Sequence, residues 1–346
     1  EHNLAKVGVA SSSLVFRSKT KEVSRNADLL FEKYHPTGFN YMSVVLVHKG
    51  RLFCLYISLK ITIFTLSFLN DYMMKRFVVT LALCALAIFS VDAKKAKKLP
   101  KDIGAINERI LEEGYHLYIQ EKVAWIVEDV FFANQPEDSD NIGGWVPVTH
   151  DGQNVQGIFF NKEKTKVLFE VSINLETGET SSNATVRELT EDELKEISLR
   201  ETVIGAVKTL DDLPAAPEGC SFNVNILKLE DDLYRVYWML GTAQHNLIPF
   251  GCDFSYDCDS KGNIKESRKY HNSYIPAMLI MDGSPVEGIW HSHTQLSPFI
   301  TPTDIALFLL YGYGNSPLTG FRVYSTVYRC YFHFDANSYQ IITITE

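Results

Sequence analysis

Glu287-Gly288-Ile289-Trp290-His291-Ser292-His293, followed by Thr301-Pro302-Thr303-Asp304, is the stretch that decides how this 346-residue chain reads. Side chains alternate along a strand, so two histidines two apart at a strand end turn both imidazoles to one face. Thr301 and Asp304 have the spacing of a capping box, and Pro302 falls at the first helical position, so a helix is predicted from residue 302. A strand end, a loop and a helix start can carry two nitrogens and one carboxylate to a common point. A catalytic metal site wants three protein ligands of this kind and an open position for water. The ion would lower that water's pKa toward neutrality and polarise a carbonyl oxygen. Each residue also has a plainer explanation: the capping box alone accounts for Asp304, and His-Ser-His fits a surface turn.

Outward from this stretch, the chain beyond Phe222 is rich in strand patterns. Strands are predicted at 222–229, 234–240, 247–256, 264–270 and 286–291, then a helix over 302–312, then strands at 321–328, 330–335 and 339–345. Asp259-Ser260-Lys261-Gly262 reads as a hairpin turn rather than a calcium loop, because the closing Glu is missing. Upstream, apolar residues at helical spacing predict a helix over 104–133, with Gly114 a candidate break. Residues 134–153 read as a polar loop, and 155–160 and 166–173 as strands. Thr190-Glu191-Asp192-Glu193 has the form of a capping box and opens a helix running to about residue 208. The Asp, Pro and Ala content of 210–219 marks a linker. Trp290, Phe299, Phe308 and Tyr311 read as core.

The run from Glu287 to His293, with Thr301-x-x-Asp304, resembles the signature of the JAB/MPN/JAMM metal-dependent isopeptidases: His-x-His, seven residues, Ser, two residues, Asp. Thr301 stands where that family has Ser. The match covers about fourteen residues inside the region 222–346, and the order of elements agrees. The resemblance implies an α+β fold with a JAMM-like mixed sheet and flanking helices, and the chain before it reads as a smaller α+β domain. It implies that His291, His293 and Asp304 bind zinc, and that Thr301 takes the catalytic role of hydrogen-bonding the oxyanion. The family also uses a Glu to activate the zinc-bound water. Aligning Gly241 with the family's Gly puts Tyr234 in that place. Glu230, Glu266 and Glu287 are the alternatives, with His271 as a substitute acid/base or a donor to the ligands. The implied function is an exported zinc-dependent hydrolase of amide or isopeptide bonds in peptide, protein or cell-wall substrates. The rival is a non-catalytic secreted or envelope protein that keeps a degenerate JAMM-like domain for binding or assembly.

The N-terminal third reads differently. Met74-Lys75-Arg76, an apolar run over 77–89 and Ser90-Val91-Asp92-Ala93 have the layout of a signal peptide at 74–93, which places the protein in the periplasm, the envelope or the medium. An uncleaved anchor is the other reading, and membrane contact is expected through one or the other. Residues 1–73 read as upstream or non-native sequence, 94–190 as the smaller domain and 191–346 as the JAMM-like domain. Lys94–Lys101 reads as a solvated basic tail able to touch anionic headgroups. A net charge of −9 offers no basic excess to neutralise phosphates, so no nucleic-acid partner is expected. An oxidising compartment permits disulfides, and the expected pairing is Cys252 or Cys258 with Cys330.

Overall fold

The computed structural model describes residues 46–48, 51–53, 96–134, 136, 139–149, 153–184 and 186–345. The signal-peptide reading at 74–93 and nearly all of the 1–73 reading lie outside these residues. Two compact units divide the chain, one holding Lys19–Lys95 and the other Ala96–Glu346. In the first, β1 (Leu46–His48) and β2 (Arg51–Phe53) form a short antiparallel hairpin. Everything below concerns the second, which has an α+β architecture. Among the described residues, no helix is long and apolar enough to cross a membrane.

Helix α1 (Ile103–Asn134) runs unbroken for 32 residues. Its first half places Leu117 in the largest core, against Ile305, Phe308 and Phe321. Its second half places Val123, Val127 and Phe131 in another core, under an antiparallel sheet. That sheet contains β3 (Ile142–Thr149), β4 (Asn154–Asn161), β5 (Lys166–Asn174) and β6 (Thr180–Asn183), with β7 (Arg187–Glu188) also on β5. Strand β3 occupies what reads as a polar loop in the sequence; its Trp145 and Val146 are buried. Gly114 does not break α1 but lets it approach a neighbour. A Cβ there would lie 2.9 Å from Ile305 Cβ and 3.1 Å from the Pro302 carbonyl oxygen. Gly157 on β4 does the same for the other half, where a Cβ would meet Val127 at 2.6 Å.

Helix α2 (Glu191–Gly205) starts at the expected capping box, with Thr190 and Glu193 bonding reciprocally. The second sheet has the order β12–β11–β9–β8, all antiparallel: β8 (Cys220–Glu230), β9 (Leu233–Thr242), β11 (Phe254–Cys258) and β12 (Ile264–Lys269). The single strand expected over 247–256 is two. β10 (Leu247–Gly251) pairs with β13 (Tyr274–Met278), while β11 pairs with β9. Gly251 and Cys252 take positive φ, 91° and 54°, which turns the chain from one ladder to the other. A small hairpin follows, β14 (Ile280–Met281) with β15 (Ser284–Pro285).

Helix α1 is stapled to β8, an edge strand. The Gln120 side chain donates to Ile226 O at 3.0 Å and accepts from Ile226 N at 3.2 Å, as a pairing strand would. Beside it Glu121, buried, accepts from Asn223 and Asn225, both at 2.6 Å.

The third sheet is mixed and has the order β16–β17–β18–β19. β16 (Trp290–His293) runs parallel to β17 (Gly320–Ser325); β18 (Cys330–Asp335) and β19 (Gln340–Thr345) are antiparallel. The expected strand over 286–291 thus begins later, at Trp290. Between β16 and β17 lies α3 (Pro302–Leu307), which continues as a π-helical turn over Phe308–Gly312. All four cysteines of this unit are buried thiols, which overturns the expected disulfide. Cys330 lies in the main core, Cys258 beside Val236 and Tyr256, and Cys252 near Cys220. The strands holding Cys258 and Cys330 belong to different sheets.

Candidate metal centre

His291 and His293 alternate with Trp290 and Ser292 on β16, so both imidazoles turn inward; they are 7% and 2% exposed. The parallel pairing of His291 with Val323 and His293 with Ser325 fixes their height in the sheet. Their Nε2 atoms lie 3.1 Å apart. Asp304 arrives at the third position of α3, 1% exposed, with Oδ1 3.3 Å from His291 Nε2 and Oδ2 3.4 Å from His293 Nε2. The three residues that the sequence marks as metal ligands therefore converge.

A fourth group joins them. His271 follows β12, and its Nε2 lies 2.7 Å from His293 Nε2 and 3.6 Å from Asp304 Oδ1. One donor atom from each of His271, His291, His293 and Asp304 lies within 4.8 Å of the others, and all four residues are buried. A tetrahedral zinc with bonds of about 2.0–2.1 Å sets neighbouring donors about 3.3 Å apart. The spacings of 2.7 to 3.6 Å bracket that value.

The groups behind the ligands have the character of a metal site. A ligating imidazole ordinarily donates its other ring N–H to a carboxylate or carbonyl, which fixes tautomer and orientation. His271 Nδ1 donates to Asp253 Oδ1 at 2.6 Å, and His293 Nδ1 donates to the Phe299 carbonyl. Asp253 is fully buried and also accepts from the Thr303 hydroxyl. Asp304 divides its two oxygens. Oδ2 accepts from the Thr301 backbone at 2.9 Å and from the Thr301 hydroxyl at 2.7 Å, while Asp304 N donates to Thr301 Oγ1 at 3.2 Å. Oδ1 is buried and has no hydrogen-bond donor, although the Nε2 atoms of His291 and His271 lie 3.3 and 3.6 Å from it. A buried anionic oxygen without a donor is costly, and a cation between it and the imidazoles satisfies it. The capping box and the ligand role are thus compatible: Oδ2 caps the helix beside His293, and Oδ1 is left facing His271 and His291.

Electrostatics favour a metal at His293 and Asp304, whereas His271 holds a proton near pH 7 that an ion would have to displace. Burial, together with the neighbouring His271 and His291, pushes His293 down to about 4 against the pull of Asp304, so its ring is neutral and able to ligate near pH 7. Burial also opposes a charge on His271, but Asp253 and Asp304 outweigh it and leave the group at about 9. Burial would raise Asp304, yet the imidazoles of His291, His271 and His293 hold it well below the usual carboxylate range. The group is ready to accept a cation.

Thr301 is 2% exposed, and its hydroxyl is engaged with Asp304 and with Thr303 Oγ1 at 3.0 Å. It orients a ligand here. Glu230, Glu266 and Glu287 are exposed, and none belongs to the cluster. Glu113 is committed to Arg235 at 2.9 Å and to the Tyr237 hydroxyl. Sequence reasoning singled out His271 only as an auxiliary group and missed Asp253. The signal for His271 was a lone histidine at a strand end; Asp253 left none, being one carboxylate inside an apolar run. No protein-family model, no curated protein and no solved structure matches the chain.

Proposed function

We propose that this chain is a zinc protein in which His291, His293 and Asp304 hold the ion and His271 closes the fourth position. Its JAMM-like module would serve binding or assembly at the cell envelope or outside the cell. The observation that carries this reading is the fourth donor, His271 Nε2, 2.7 Å from His293 Nε2. Zinc sites with four protein ligands are structural, whereas catalytic ones keep a position for water. A donor set of three imidazoles and one carboxylate suits zinc. Export rests on the signal-peptide pattern at 74–93 alone.

A second reading, the zinc-dependent hydrolase of amide or isopeptide bonds, is favoured by the His-x-His and Thr-x-x-Asp spacing. There His291, His293 and Asp304 are the only ligands, and zinc supplies an activated water in the fourth position. His271, held by Asp253, would then orient that water, while Thr301 would reach the oxyanion only by giving up its bonds to Asp304 and Thr303.

Metal analysis and a peptide-library assay on the purified protein separate the two. Wild type is expected to carry one zinc per chain, lost in His291→Ala. If His271 is a ligand, His271→Ala weakens zinc binding and the wild type cleaves nothing. If the hydrolase reading holds, His271→Ala keeps its zinc and loses cleavage. A wild-type chain that binds no metal refutes both.

A further inference from the structure

The outer face of the β16–β19 sheet is unlike the solvated side of an ordinary sheet. Its two middle cross-strand rows are Trp290–Arg322–His333–Ile342 and Ser292–Tyr324–Tyr331–Ile344. The inner face carries His291, Phe321, Val323, Phe332 and Phe334 into the core. A sheet with one covered face normally turns polar side chains outward. Here Trp290, a core residue by its sequence pattern, is 66% exposed, Ile342 45% and Ile344 39%. The Tyr324 and Tyr331 rings lie 5.0 Å apart among them.

One end of this face has a basic rim. The Lys97 backbone N–H donates to Val327 O at 3.0 Å, which ties the segment 96–100 to the β17–β18 turn, just past the Tyr324–Tyr331–Ile344 row. Lys97 and Lys98 are exposed, as is Arg329 in that turn, and Arg322 stands in the first row. Asp335 is on the same face at the opposite end. Upstream in the sequence, Lys94 and Lys95 extend the basic run back toward the apolar stretch 77–89.

We propose that this face is a docking surface for an anionic lipid bilayer. Trp and Tyr rings settle at the headgroup level, where one edge is apolar and the other wet. The two isoleucines reach the acyl boundary, as the apolar side of an interfacial helix does. The lysines and arginines are drawn to anionic headgroups. Because the chain as a whole carries −9, this basic rim selects the orientation in which it meets an anionic surface. His291 and His293 then point away from the bilayer. The proposal is independent of the zinc reading.

Trp290 supplies the test. Trp145 is buried, and Trp125 and Trp238 are partly buried, so the exposed emission belongs to Trp290. The full chain is mixed with vesicles of phosphatidylcholine alone, or with about a quarter phosphatidylglycerol, both carrying brominated acyl chains. The Trp290 signal is the difference between wild type and Trp290→Phe. It is expected to be quenched in the anionic vesicles and not in the neutral ones. The double variant Lys97→Ala, Lys98→Ala is expected to need about twenty-five-fold more anionic lipid for the same quenching, roughly fivefold per cation. Unquenched Trp290 in the anionic vesicles overturns the proposal even if the chain sediments with them, since residues 77–89 can carry it there. Burial of Trp290 in a dimer seen by sedimentation without lipid overturns it as well.

Discussion

Replacing Gly114 by Ala sets two effects of opposite sign against each other. Ala in a helix interior is worth up to about 1 kcal/mol over Gly, because Gly loses more backbone freedom on folding. By that measure Gly114→Ala stabilises a 32-residue helix. The added methyl, however, would lie 2.9 Å from Ile305 Cβ, 3.0 Å from Ile305 Cγ2 and 3.1 Å from the Pro302 carbonyl oxygen. Neither a Cβ nor a backbone oxygen can rotate aside, so α1 and α3 must separate. Overpacking of this sort costs about 1–3 kcal/mol. The net expectation is a loss of up to about 2 kcal/mol, a fall in Tm of up to roughly 8 °C for a unit of this size. Pro302 and Ile305 bracket Asp304, so the same variant is expected to weaken zinc binding severalfold. Gly205→Ala is the control: it ends α2 with a helical φ of −61°, and no atom lies within 4 Å of its added methyl. It should melt slightly higher than wild type and bind zinc unchanged. Calorimetry with a zinc titration on the three proteins reads both quantities. A Gly114→Ala protein that melts above wild type would falsify the close-approach argument.

Two further outcomes follow from buried polar contacts. Burial lifts Glu121 from 4.5 to about 7, partly offset by the amides of Asn225 and Asn223. The folded state then holds that proton more tightly than the unfolded chain. The contribution of Glu121 is therefore full below about pH 4.5 and declines as pH rises to about 7, by up to about 3 kcal/mol. Denaturant melts of wild type and Glu121→Gln across this window should diverge in slope; parallel curves would show that the carboxyl titrates normally. Thr301→Val removes both the helix cap and the hydroxyl on Asp304 Oδ2, at an expected cost of about 1–2 kcal/mol with weaker zinc retention, while Thr301→Ser restores both. Equal stability and equal zinc content in the Val variant would mean that Asp304 is held by something other than Thr301.

The local parts of this protein were legible because local physics produces them. His291 and His293 share a face through strand alternation, and Thr301 and Asp304 cap their helix through a contact three residues apart. The Thr190–Glu193 box and the Asp259–Gly262 turn formed for the same reason. Gly114 read as a helix breaker, since its use lies in a contact with α3, almost two hundred residues later. The break at Gly251-Cys252 stayed hidden because residues on either side are equally apolar and differ only in which strand they pair with. Trp290 read as core as part of an aromatic stripe with Phe299, Phe308 and Tyr311, yet pairing parallel to β17 places it on the outer face.

What the sequence alone determined, then, is the three-residue donor set and the elements that present it, because alternation and capping act over a few residues. Only the tertiary structure decided that His271, twenty residues before His291, enters the same cluster, and that Asp253 holds it there. Both depend on how β10 to β13 cross between two ladders, and that crossing is set by long-range burial that no local pattern records.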